Sequence, residues 1–259
     1  MKTRIKSLLA CGVAMAGMVS LWAQKPKSQK EVEALQAFQA AKTPDDQIKA
    51  IENVLTNFAD TEYKVILLQI ALQVETQKGD YAQMIFYGER LLEADPKNTF
   101  AYVTLAGETA RRTRENDLDK EEQLAKADKW AKAGIETAKD MPKSRPDVTD
   151  QQWDGVKKDL QSQGYVALAM SAALRKKYDD AIANYKQAIS VAATPDSTVW
   201  VRLGQVYSDA GKLDEASSAF DKALSDPNAP ASVKQIAQSK KDEIAKKKAP
   251  AGAKPPGTP

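Results

Sequence analysis

The sequence contains no histidine. That absence removes imidazole acid–base chemistry, Ser–His and Cys–His nucleophile pairs, and every His-ligated metal site. Cysteine occurs once, at Cys11, within an apolar run near the N-terminus. With no second thiol the chain closes no internal disulfide, so cysteine usage permits export without demonstrating it. Aromatic residues make up 7% of the chain, and glycine and proline contribute 12 each among 259 residues. A chain this poor in rings and turn formers, yet rich in Ala, Lys, Gln and Glu, has the composition of helices packed closely through small side chains. An all-α fold is therefore expected.

A dominant charge is also missing. Of the 38 basic side chains, Lys2, Arg4 and Lys6 lie in the N-terminal segment, and the other 35 face 35 acidic ones. Such a balance supplies no broad basic face for nucleic acid. The local exception is the stretch from Ala229 onward, where seven Lys oppose only Asp242 and Glu243. Its Lys246–Lys248 run could touch an acidic surface, but a solubilising role is the plainer reading.

Met1 to Lys6 is positively charged, Ser7 to Trp22 carries no charge, and polar Gln24-Lys25-Pro26-Lys27 follows abruptly. This order reads as a secretory signal over 1–23 with cleavage after Ala23, which directs the mature chain to the periplasm or outside the cell. An uncleaved anchor is the rival, because the apolar run reaches the lower edge of a membrane span. Leu8-Leu9-Ala10-Cys11 superficially resembles a lipoprotein signal, but most of the apolar residues follow the cysteine instead of preceding it. Residues 24–30 read as a linker.

Beyond the linker the chain repeats itself. Tyr178, Ala181, Tyr185, Ala188 and Ile189 align position for position with Leu213, Ala216, Phe220, Ala223 and Leu224, at an offset of 35. Trp200, Leu203-Gly204 and Tyr207 precede the second copy and Pro227 closes it. These residues resemble the tetratricopeptide repeat, with Pro227 one residue earlier than the family pattern. Further upstream, Gly79-Asp80-Tyr81 and the run Leu91–Pro96 reproduce the turn and second-helix ending, with Met84 and Gly88 at the two small or aromatic sites. Ala50, Val54 and Phe58 take the same places on a helix that starts after Thr43-Pro44, with Thr43 as N-cap and Pro44 at the first helical position. Between these, Tyr102, Leu105, Ala106 and Thr109 mark a first helix, and Leu124, Ala127, Ala131, Gly134 and Ile135 a second, separated by an insertion within 111–123.

The resemblance covers 31–228 as about five copies. It implies an α-solenoid of stacked helix-turn-helix hairpins, each covering its neighbour's apolar face. Pro142 and Pro146 set the linker before an extended helix predicted from Thr149 to about Leu174. From 229 to 247 Val233, Ile236, Ala237 and Ile244 share one face, as a polar-backed capping helix requires. The tail 248–259 has no apolar periodicity and is expected to be disordered.

The acidic cluster Glu115–Glu122 invites comparison with a calcium loop. An EF-hand needs Gly at its sixth and Glu at its twelfth position, and the two available registers place Lys120 with Lys126 or Glu122 with Asp128 there. Asp45-Asp46 and Asp179-Asp180 sit at helix starts, where the helix dipole favours negative charge. No metal site, cofactor or catalytic residue is assigned, and the chain is read as non-enzymatic. A polar pocket, were there one, would be sought between the 111–123 insertion and the 147–165 segment. Trp153, outside the repeat register, is a candidate contact residue.

What remains is the groove that the resemblance assigns to the first helix of each copy. Its lining positions fall on Val32, Leu35 and Gln39; Ile66, Gln69, Gln73 and Gln77; Phe100 and Val103; Gln163, Val166 and Met170; and Val201, Gln205 and Asp209. Glutamine donates to and accepts from an extended peptide backbone while Val and Met cover side chains. The Lys and Asn set by which some relatives clamp a terminal carboxylate is missing. The implied partner is a protein or extended peptide, with no stable membrane insertion once the signal is removed. A self-associating or outer-membrane assembly scaffold is the alternative, and small-molecule binding a weaker one.

Overall fold

The computed structural model describes residues 25–143 and 146–248. Among them are eleven α-helices and no strand: α1 (Gln29–Ala40), α2 (Pro44–Asn57), α3 (Lys64–Lys78), α4 (Tyr81–Ala94), α5 (Thr99–Arg112), α6 (Lys120–Lys139), α7 (Asp150–Leu174), α8 (Tyr178–Val191), α9 (Ser197–Asp209), α10 (Leu213–Ser225) and α11 (Ala231–Lys248). The signal expected over 1–23 and the tail from 249 lie outside the described residues.

Each helix packs against the next along the chain, so sequence order is also spatial order. The result is an α-solenoid of five hairpins, α1/α2 through α9/α10, closed by α11 lying on α9 and α10.

Local chemistry sets the helix ends. Thr43 caps α2 by accepting from the Asp46 amide, with Pro44 in the first turn. Asp80 and Asn98 cap α4 and α5 in the same way, and Thr149 and Gln152 form a reciprocal capping box on α7. Three hairpin turns share one geometry: the amides of Asp80, Lys177 and Lys212 donate to the carbonyls of Glu75, Ala172 and Tyr207, five residues back. The left-handed residue each turn needs is Gly79 (φ 74°), Lys176 (φ 59°) and Gly211 (φ 76°). Only the middle turn uses a residue with a Cβ there, at a cost of about 1 kcal/mol or more.

The core falls into two large clusters with a small, alanine-rich seam between them. One is built from α1 to α5 around Ile51, Leu67, Leu68, Leu72, Met84, Leu91 and Leu105. The other runs from α7 to α11 around Tyr185, Leu203 and Phe220, with Ala169, Ala181, Ala188, Ala216, Ala223 and Ala237 between them. The seam is Ala106, Ala131 and Ala167, one alanine from each of α5, α6 and α7.

Polar contacts repeat with the array. Lys78 pairs with Asp45 at 2.9 Å, Arg112 donates to the Gly79 carbonyl at 2.6 Å, Lys212 pairs with Asp179 at 2.8 Å, and Lys248 pairs with Asp214. Each links a residue to one about a repeat earlier, forming a ladder along the turn edge. The acidic pairs at the α2 and α8 starts thus meet the next repeat's lysine. These exposed pairs set lateral register more than they stabilise.

Several expectations need adjustment. The insertion is partly helical: α5 continues through Arg112 and α6 begins at Lys120, leaving Thr113–Asp119 as loop. Glu121 and Glu122 in the first turn favour that early start. Ile236 was placed on the inward face of α11 but is 50% exposed; the stripe that turns inward is Val233, Ala237 and Ile244, which keeps a 3.6-residue period. Trp153 is half-buried, and its indole N–H donates to the Met141 carbonyl at 3.1 Å, so it pins the linker.

Candidate functional site

The first helices of the hairpins carry the predicted groove residues, and the structure leaves most of them accessible. Gln39, Gln163 and Asp209 are exposed, as is Gln77, while Gln69, Gln73, Phe100, Val166, Met170, Val201 and Gln205 are half-buried. They share a helix face because the same register recurs: Gln39 and Gln73 stand 34 residues apart, and Met170 and Gln205 stand 35 apart. Val32 and Ile66, also half-buried, flank the N-terminal end.

Two assignments fail. Val103 is only 3% exposed, because its Cγ1 occupies the space left by Gly134 of α6, where an added Cβ would come within 2.8 Å. Leu35 is 7% exposed and belongs to the N-terminal core cluster. Both positions are consumed by packing within the array.

At the C-terminal end the stripe becomes a polar constellation. Gln205 donates to Asp209 at 2.8 Å. Arg202 of α9 reaches across to α7, its Nη1 resting on the Met170 Sδ at 2.5 Å. The same guanidinium faces Tyr185 of α8; burial pushes the Tyr185 hydroxyl up, and the charge and hydrogen bond of Arg202 pull it back. Arg202 was not among the sequence candidates. Its position is off the usual lining set, and only the contact to Met170 reveals it.

The turn edge holds a recess of about 400 Å³ lined by Glu115, Lys120, Glu121, Leu174, Arg175, Lys176 and Lys177. Its charges satisfy one another. Arg175 bonds Glu121 at 2.8 Å and Asp128 at 2.9 Å, and Lys176 bonds Glu115 at 2.5 Å. The hydrogen bonds from Arg175 and Lys176 lower the Glu121 and Glu115 carboxyls respectively. This recess tethers the insertion to the α7–α8 turn, at the opposite end of α7 from Asp150, so insertion and extension do not enclose a pocket together. Among the described residues no cluster of acidic side chains is placed to hold a metal ion, and no helix is long and apolar enough to cross a membrane.

These features define a repeat-built solenoid with a long side-chain face in place of a single pocket. Residues 162–195 and 197–225, the fourth and fifth hairpins, each match the tetratricopeptide repeat family model. Among solved structures the chain is similar to a thermophilic TPR protein of Thermus thermophilus, TTC0263, at 17% identity over 82% of this chain and 97% of that one, with a TM-score of 0.54. It is also similar to the MamA protein, at 18% identity over 71% of this chain and 87% of that one, with a TM-score of 0.45. At such identities the first likeness shows the fold alone. A search of the curated proteins finds no match.

Proposed function

We propose that the chain is a non-enzymatic adaptor that takes an extended segment of a partner protein along the first-helix face, from Gln39 to Asp209. The observation that carries this reading is the accessible stripe itself. On it, half-buried or exposed amides stand at repeat spacing among apolar side chains that are half-buried against the edge of the core. An extended chain needs backbone partners at intervals and apolar cover between them, and the stripe supplies both. We further propose that it acts in the cell envelope or outside it, a reading supported by the charged, apolar and polar order of residues 1–27.

A photo-reactive residue placed at Gln73, Gln163 or Gln205 in the native cell is expected to trap a partner, whereas one at Glu89 or Gln187 on the second helices is not. Equal yields from both sets, or none from the first, would refute the groove.

A further inference from the structure

Of the three hairpin turns that share one hydrogen-bonded geometry, a single one sets a side chain at its left-handed place. Gly79 and Gly211 stand there in the α3–α4 and α9–α10 turns, and Lys176 (φ 59°) in the α7–α8 turn. A left-handed residue with a Cβ is strained, and glycine removes the strain. Neighbours do not decide between the two. A Cβ on Gly211 would meet nothing within 4 Å, and one on Gly79 only Arg112 at an ordinary 3.5 Å. Such turns have room for a side chain at this place, and backbone conformation alone favours glycine.

The ladder along the turn edge does not call for a lysine at 176 either. Its bases flank the left-handed residue: Lys78 precedes Gly79 and pairs with Asp45, and Lys212 follows Gly211 and pairs with Asp179. Arg175 and Lys177 hold those flanking places in the α7–α8 turn, and Arg175 already forms the rung, to Glu121 and Asp128 of α6. Lys176 is a base beyond the ladder. Its ammonium goes to Glu115, in the connection between α5 and α6, at 2.5 Å. Residues 114–119 of that connection are all exposed, so burial does little to hold them. An internal turn orders them locally: the Arg114 amide donates to the Asp117 carboxylate, and the Asp117 and Lys120 amides donate to the carbonyls of Arg114 and Asp117. Among the described residues, the Glu115–Lys176 pair is the one ion pair that ties 114–119 to another hairpin.

We propose that Lys176 stands in this turn in place of glycine as the clasp of a strap: paired with Glu115, it holds the 113–119 segment across the boundary between the third and fourth hairpins, and salt releases it. Both side chains are more than half exposed. The pair is therefore open to screening, which cuts the reach of a charge from about 30 Å at 0.01 M salt to about 3 Å at 1 M. Arg175 sits deeper, 17% exposed, and keeps the start of α6 in place while the strap opens. The device is a loop whose order follows ionic strength, joined to a turn that carries backbone strain to hold it.

The test compares Lys176→Gly, Lys176→Ala and Lys176→Arg in the full chain, reading Tm and the exchange of the Asp117 and Lys120 amides. Lys176→Gly and Lys176→Ala remove the ammonium alike and differ in strain, so the first is expected to melt at least about 2 °C above the second. Both are expected to speed exchange of the two amides about two- to fivefold at low salt, the range of an exposed pair. Lys176→Arg keeps the charge and should leave exchange near the wild-type rate. Wild type in about 1 M salt should exchange as Lys176→Gly does at low salt, and Lys176→Gly should be indifferent to salt. Equal melting of Lys176→Gly and Lys176→Ala would overturn the claim that the turn is strained for the sake of the clasp. Wild-type exchange rates in Lys176→Gly, or wild-type exchange that does not respond to salt, would overturn the clasp itself.

Discussion

The second and fifth hairpins place their large and small side chains differently. In the fifth hairpin the first helix is small at the crossing, at Gly204, and the second brings a ring, Phe220, into that space. In the second hairpin the first helix is large, with Leu72 fully buried, and the second is bare at Gly88, a space filled by Leu105 of the next repeat. The space beside the glycine is filled from within the hairpin in the fifth and from the next repeat in the second.

The largest effect should come from removing the volume each half relies on. Phe220→Ala is expected to cost about 3–5 kcal/mol and Leu105→Ala about 2–5 kcal/mol in denaturant unfolding. Amide exchange tells more than the totals. If the two large clusters on either side of α6 open separately, Phe220→Ala should release protection in α8 to α11 while α2 to α4 hold theirs. Uniform loss over the whole chain would mean that the halves are one cooperative unit and that the comparison is superficial.

Overfilling comes next. Gly88→Ala and Ala181→Leu are each expected to cost about 1–3 kcal/mol. The first should be largely relieved in a Leu105→Ala background, whereas the second is indifferent to it, a coupling of about 0.5–3 kcal/mol that a double-mutant cycle reads directly. Absence of coupling between positions 88 and 105 would break the comparison.

The same difference explains what could be read without coordinates. The Ala181/Tyr185/Ala188 and Ala216/Phe220/Ala223 spacing carries the repeat in its own residue types, and the hairpins are legible there. Upstream, Leu72 and Gly88 depart from those types, so their register comes only from the Gly79-Asp80 turn and the intervals around it. On the first helices, residues at repeat spacing were legible as positions that recur from one hairpin to the next. Val103 was not, because its burial depends on Gly134 being small on α6, about thirty residues away in sequence. Arg202 was not, because a guanidinium reaching Met170 is a contact between α9 and α7 with no sequence period. Trp153 stood out as irregular, but its bond to Met141 is made by the linker's path alone.

A smaller effect separates the middle of the array from both halves. The Glu121 carboxyl is lowered from its usual 4.5 by the hydrogen bond from Arg175, and Glu115 is lowered likewise by Lys176. Carboxyls depressed in the folded state stabilise it above their unfolded value and lose that contribution as pH falls through the folded one. The tether of the insertion is therefore intact at neutral pH and should release only in acid below the ordinary carboxylate range. Amide exchange across Thr113–Asp119 is expected to rise there at fixed intrinsic rate, and Arg175→Ala to produce the same rise at neutral pH. Release on the alkaline side would contradict the pairing.

The smallest expected change in stability belongs to the residues with the largest expected role. Gln73 lies in the second hairpin and Gln205 in the fifth, yet both occupy the same place in their repeat. Replacing either with alanine should shift unfolding by no more than about 0.5 kcal/mol, as accessible substitutions away from the core do. Both should nevertheless weaken the partner if, as proposed, an extended backbone pairs with these amides. A loss of stability confined to Gln73→Ala would place it in the N-terminal core and end the groove at α5. Weakened binding from both, with melting unchanged, would show that two differently packed hairpins present one continuous face.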